Sequence, residues 1–406
     1  LESSHVDVPI YLKNGFLTIE SESFSIDAVG NKKVIGDLFV TGDQANLSNF
    51  TMHFGQLHVL GNQVTLNNLS IRSASPGGDL IVMGDDLEAA QLLIDGDLKV
   101  MNATGAGVLK QNALSSTIVI GGNVTIENST FEIQNYDIQG NQGFMNGNID
   151  VTEGSHVILK DNVRFNQLNL TQSTGEFFGT TSTRPVGSQM NLNQSEVTWQ
   201  QGNVQQVVLN NESTFEKNNG LTDSIQLNGA SLLQFNNGET RATVQINNST
   251  AEFLTGQVGY GFGSDSSTLF SPTSTWQRGI IVDRSSSSSE PSSVVTLSGV
   301  NTTYLWLGSQ AHASMSSGNV VRVAQLNADA VMTLTGGVLE NTRLYEDAVL
   351  GMNGGDMRST HAFNDRELIV SGGKLGSSTS NRGLVVSDRS SLNMNNGTLG
   401  VGAVSS

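Results

Sequence analysis

A short unit recurs along this chain: glycine, then Asp, Asn or Gln, then an aliphatic residue, any residue, and a second aliphatic. It reads GDLFV from Gly36, GQLHV from Gly55, GDLIV from Gly78, GDLKV from Gly96, GNVTI from Gly122 and GNIDV from Gly147. By subtraction of those positions the steps are 19, 23, 18, 26 and 25 residues. A second register runs through the middle, where an aliphatic residue precedes an Asn turn and a new short strand: MNLNQSEVTW, VVLNNESTFE, IQLNGASLLQF and VQINNSTAEF. Its aliphatic falls at Leu192, Leu209, Leu227 and Ile246, in steps of 17, 18 and 19. Later copies, AQLNADAVMTL, TRLYEDAVLGM and LVVSDRSSLNM, are looser.

Within each unit apolar and polar residues alternate over four to six positions, the pattern of a half-buried strand. Asn-Asn, Asn-Gly and Gly-Gly then permit the left-handed backbone of a tight corner. A unit this short cannot bury its own inner face. Stacked copies can, each strand pairing with its equivalent one layer above and one below. The spacing therefore predicts an all-β fold, a single-stranded parallel β-helix (β-solenoid) of about 18–25 residues per rung. A β-sandwich is the competing reading, and it leaves the 17–19-residue register unexplained. The best helical window, Asp85 to Leu93, is short.

Two stretches break the rhythm: GYGFG from Gly259 to Gly263, and SSSSSEPSS from Ser285 to Ser293. The expected organisation is a solenoid over 1–258, an irregular Gly/Ser-rich loop or hinge over 259–293, and a second solenoid part over 294–406. A smaller loop is expected over Thr171 to Gln189. Insertions leave a solenoid from one face and often carry binding.

Composition narrows the function classes. The 406 residues include 45 Gly but 5 Pro, and only 14% are charged. Turns are thus made by Gly and Asn, and the surface by uncharged polar side chains. A net charge of -17 and the lack of basic runs argue against nucleic acid as a partner. The chain has no cysteine, which favours a bacterial exported protein over a disulfide-stapled one. Asn-x-Ser/Thr triplets, as at Asn68, Asn102 and Asn169, are expected by chance in so Asn-, Ser- and Thr-rich a chain. No stretch is long and apolar enough for a membrane helix, and no basic-then-apolar leader opens the chain.

The GDLxV and GNVTI units, with the segments NVTIENSTFEI and IDVTEGSHVILKDN, resemble the β-helical passenger regions of bacterial autotransporters. They are also similar to filamentous-haemagglutinin-type adhesins. The resemblance covers most of the chain and is one of style, since such units are degenerate. It implies a right-handed parallel β-helix, an extracellular or cell-surface location, and adhesion, self-association or biofilm formation. Host surface, glycan or the chain itself are the implied partners, with no cofactor. No membrane-barrel strands or protease motif accompany the units, so any outer-membrane anchor lies in a segment outside this chain.

Candidate chemistry is sparse. His53 and His58 fit alternate strand positions, and no HExxH spacing exists, so no metal site is expected. Asp79 and Asp97 fall at the same repeat position on successive units. A Ca²⁺ could bridge them. However, the occupants run Asp37, Gln56, Asp79, Asp97, Asn123 and Asn148, a mixture that favours hydrogen-bonding shape over charge. A polysaccharide lyase or depolymerase on the same fold is the alternative to an adhesin. It needs paired carboxylates or a basic residue beside aromatic platforms. Tyr260, Phe262, Trp276, Arg278, Asp283 and Arg284 form the one mixed aromatic and charged neighbourhood and are the candidate glycan or partner contacts.

Overall fold

The Leu, Val and Ile residues of the first recurring unit stack in columns. In the computed structural model Leu38 pairs with Leu57, Leu57 with Leu80, Leu80 with Leu98, Leu98 with Val124 and Val124 with Ile149. The column continues through Leu168 and Met190. Two residues on, Val40, Val59, Val82, Val100, Ile126, Val151, Leu170 and Leu192 form a second column, and both are sealed from solvent. The described pairings are parallel and join strands one rung apart, at about 19 residues per rung. This is the β-solenoid arrangement expected, and it excludes the sandwich.

The structure describes residues 4–5 and most of 16–399. The stretches 73–78, 111–118, 136–142, 260–278, 284–292, 363–366, 377–383, 387–390 and 400–406, with 1–3, 6–15 and several shorter ones, lie outside the described residues. Every element described is a strand. Asp86–Ile94, which overlaps the window of helical spacing, is a strand paired to Gln63–Arg72. Its apolar residues Leu92 and Ile94 alternate inward, and a ladder on both sides outweighs a weak local preference.

The chain divides into two compact units, Leu1–Val204 and Gln205–Ser406, each built of stacked rungs. The two sequence registers prove to be one structural position. Leu192 continues the column begun by the Val of GDLxV in the first unit. In the second unit the aliphatic-before-Asn column runs Leu227, Ile246, Val282, Leu307, Leu326 and Leu344. The step from Ile246 to Val282 is 36 residues, yet the strands on either side hydrogen-bond directly. Strand Glu239–Asn247 pairs with both Gly256–Val258 and Gly279–Asp283, so the ladder runs straight past the intervening sequence.

A second inward face carries aromatics. Ile133, Leu159, Phe177 and Trp199 are successive partners in the first unit, and the last two rings stack at 4.9 Å. Gly202 lies against that stack: a Cβ there would come within 1.9 Å of the Trp199 ring. In the second unit Phe235, Phe253, Leu297, Met315, Leu334, Met352 and Val370 fill the corresponding column.

Corners are set by a left-handed residue followed by a small one. Asn102, Asn128, Gln172, Gln194 and Asn248 have φ between 46° and 56°. Ser129, Ser155, Ser173, Ser195, Ser213, Ser231, Ser249 and Ser293 are buried at this corner or its equivalent. The Ser129, Ser173, Ser195 and Ser249 hydroxyls each donate to the carbonyl two residues back, at 2.7–2.9 Å. Several also accept the backbone N–H of the rung before, as Ser129 does from Ala103 at 3.0 Å and Ser249 from Ser231 at 3.2 Å. Further on, Ala311, Ala330 and Ala348 occupy the position. Many Asn-x-Ser/Thr triplets are therefore this corner, read as sequence.

Candidate functional site

The strands that bury Leu and Val inward present Asn, Asp, Gln, Ser and Thr outward, because successive side chains alternate between faces. In the first unit Asn169 Nδ2 donates to Asp150 Oδ1 at 2.7 Å, and Asn191 Nδ2 donates to Asn169 Oδ1 at 2.8 Å. In the second, Asn228 donates to Asn210 Oδ1 and Asn247 to Asn228 Oδ1, both at 3.0 Å. The middle amides, Asn169 and Asn228, accept from one rung and donate to the other, so a column repeats its donors and acceptors about every 4.8 Å. Charge pairs also cross rungs: Lys99 to Glu127 at 3.1 Å on this ladder, and Lys160 to Glu132 at 2.7 Å on the ladder that carries Phe177 and Trp199. Nearer the start of the first unit the outward face is less polar, with Phe39 stacked on His58 at 4.4 Å and Leu60 exposed.

The acidic repeat position has a structural use. Asp37 Oδ1 accepts the Gln56 N–H at 2.9 Å, Asp79 Oδ1 that of Asp97 at 2.9 Å, Asp97 Oδ1 that of Asn123 at 2.6 Å, and Asn123 Oδ1 that of Asn148 at 2.9 Å. Gln56 also reaches Asp79 Oδ2 at 2.9 Å. What each rung needs is one side-chain oxygen aimed at the next backbone N–H, which Asp and Asn supply equally. No three His, Asp or Glu side chains among the described residues converge as a metal site. His58 lies 3.1 Å from Gln56 Oε1 and His156 lies 2.7 Å from Thr174 Oγ1, both on the outward face.

Of the candidate glycan contacts, Tyr260, Phe262, Trp276, Arg278 and Arg284 lie outside the described residues. Asp283 is described: it closes the strand Gly279–Asp283, pairs with Asn247, and its carbonyl accepts the Ser293 hydroxyl.

One residue with unusual chemistry escaped the sequence reading. Lys217 points inward at the end of Thr214–Lys217 and is fully buried. Its ladder partner is Phe235, and its Nζ sits 4.6 Å from that ring's centroid. Nζ donates to Gly220 O at 2.8 Å and Asn237 O at 3.4 Å, tying two successive corners. Burial lowers its pKa from 10.5 to about 7, opposed by the negative charge of Glu239. Gly238 leaves room for the amine, since a Cβ there would lie 2.3 Å from Nζ. Superposing the repeats STFEKNNG and SLLQFNNG would have placed Lys217 in an apolar column. Elsewhere in the core Thr222 and Thr240 share a hydroxyl–hydroxyl bond of 2.9 Å. Tyr304, whose pKa burial raises to about 12, donates to Gln325 Oε1 at 3.0 Å.

Compared with protein-family models, with curated proteins and with solved structures, the chain matches none.

Proposed function

We propose that this β-solenoid works by adhesion or structural display at a bacterial surface, contacting a host surface, a glycan or further copies of itself. The observation that carries this reading is the set of outward amide columns, Asp150–Asn169–Asn191 in one unit and Asn210–Asn228–Asn247 in the other. Apart from the Asp150 carboxylate, such columns offer uncharged amide donors and acceptors at fixed intervals on a rigid ladder. Each contact contributes little, and many engaged together give avidity without a pocket. The resemblance of the GDLxV and GNVTI units to autotransporter passengers and filamentous-haemagglutinin-type adhesins supports the same use, as does the cysteine-free composition.

The test is retention of the purified chain on glycan arrays and on cell and abiotic surfaces, with light scattering across a concentration series for self-association. Amide contacts are not screened as charges are, so binding is expected to persist as salt is raised. A chain that binds none of these surfaces, stays monomeric and releases new ends from acidic polysaccharides would instead be a lyase or depolymerase. The aromatic and charged residues around 260–284 are the sequence feature that favours that second reading.

A further inference from the structure

Three Asn-Gly corners among the described residues share one contact, a bond from the glycine N–H to the preceding Asn Oδ1. The distances are 2.8 Å at Asn219–Gly220, 2.7 Å at Asn237–Gly238 and 2.9 Å at Asn396–Gly397. This places a backbone nitrogen beside a carboxamide carbon, which is one C=O bond, about 1.2 Å, from that oxygen. Glycine permits the approach, having no Cβ to shield its nitrogen, and Gly238 takes a φ of +104°. Asn237 is exposed, so water reaches it.

Asn237 has two further donors. From the next rung, the Thr255 hydroxyl donates to Asn237 Oδ1 at 3.4 Å. From inside, Lys217 Nζ donates to the Asn237 backbone oxygen, also at 3.4 Å. At the neighbouring corner the lysine reaches past Asn219 to Gly220 O. One donor thus faces the oxygen of the peptide that must ionise, and the other faces the oxygen of the carboxamide that must be attacked.

We propose that Asn237–Gly238 is a self-modification site, at which the Gly238 nitrogen closes on the Asn237 carboxamide and expels ammonia. The Gly238 N–H proton passes to a solvent base. The charge left behind spreads onto Asn237 O, where the Lys217 N–H stabilises it. The carboxamide turns about χ2 to present its face, and the nitrogen pair forms the bond to Cγ. Charge then moves to Oδ1, against the Thr255 hydroxyl. Collapse breaks the Cγ–Nδ2 bond, and Nδ2 takes a proton from water and leaves as ammonia. A five-membered succinimide remains, and a second water opens it at either carbonyl to aspartate or isoaspartate. Nothing is oxidised or reduced. The product places a carboxylate on the corner that Lys217 ties from within.

The experiment is incubation of the full chain in mildly alkaline buffer, with peptide mapping by mass spectrometry over time. Asn237 is expected to convert about fivefold faster than Asn219 and Asn396, two long hydrogen bonds together having the effect of one ordinary bond on a rate. Thr255→Val and Lys217→Met should each lower the Asn237-to-Asn219 ratio about twofold, and the double variant should bring it to about one. Taking the ratio discounts any general loosening of the core in Lys217→Met. Equal rates at the three corners, or a ratio that both variants leave unchanged, overturn the proposal.

Discussion

Lys217 is an ionisable amine where its column otherwise holds Phe, Leu, Met and Val, and that makes stability depend on pH in a definite direction. The unfolded chain keeps this proton up to the ordinary lysine value of 10.5, whereas the folded chain releases it near 7. Between those values the unfolded state binds more protons, so stability rises with pH, and below about 7 the folded state carries the full cost of a buried charge. Two carbonyl bonds and the Phe235 ring offset part of that cost. Lys217→Met removes the charge but also takes this donor from Asn237 O and leaves Gly220 O with the Glu239 N–H alone. Below pH 7 the variant is expected to be more stable by roughly 1–4 kcal/mol. Near pH 11 the lysine is neutral, and the lost carbonyl bonds leave the variant level or weaker. Denaturant unfolding of both proteins across this range checks it. Parallel curves would show that the amine does not titrate in this window.

At the scale of elements, the strands are joined by backbone ladders and by side chains that repeat the ladder's logic. The Asp37, Asp79, Asp97 and Asn123 oxygens each hold the N–H that starts the next strand. Asp97→Asn keeps an Oδ1 there and removes one like charge near Asp79, so its unfolding midpoint should match or slightly exceed that of the parent. Asp97→Ala orphans the Asn123 N–H and should cost about 1 kcal/mol. A bound calcium would reverse the first result: stability would rise with added calcium, and Asp97→Asn would lose that response. The strands themselves were legible in sequence, because Leu80, Val82, Leu98 and Val100 alternate with polar neighbours and recur at rung length. The identity of the two registers was not. It depends on which residue of GDLxV aligns with Leu192, and corners of unequal length, steps of 18 to 26 residues, hide that alignment from simple spacing. Lys217 was missed for a related reason: inward or outward is a property of register, and one charged residue in STFEKNNG reads as surface until its copies are superposed. The Ser corners were similarly concealed, since Asn-Ser-Thr passes for a common tripeptide until Ser129 is seen bonding two rungs.

At the scale of the whole chain, the question is whether function belongs to the repeating columns or to the sequence between them. The geometry provides a way to separate the two. On the rung below, Thr240 and Thr243 are joined by Arg241 and Ala242 alone. Thr240 pairs with Val258 and Thr243 with Gly279. The span between Val258 and Gly279 is therefore one that two residues already cover a rung earlier, and the ladder makes no demand on 260–278. Replacing 260–278 by a single Ala keeps Gly259 and its N–H bond to Thr240 O, and is expected to leave the unfolding midpoint within a few degrees of the parent, since a shorter loop loses less closure entropy and the flanking bonds persist. If the amide columns make the contacts, the shortened chain retains its binding to surfaces or to itself. If Tyr260, Phe262, Trp276 and Arg278 make them, binding disappears while the fold survives, and the contact surface moves to that segment. A chain that fails to fold after the exchange would mean that the inserted sequence is required to pass from Val258 to Gly279, against the pairing that brackets it.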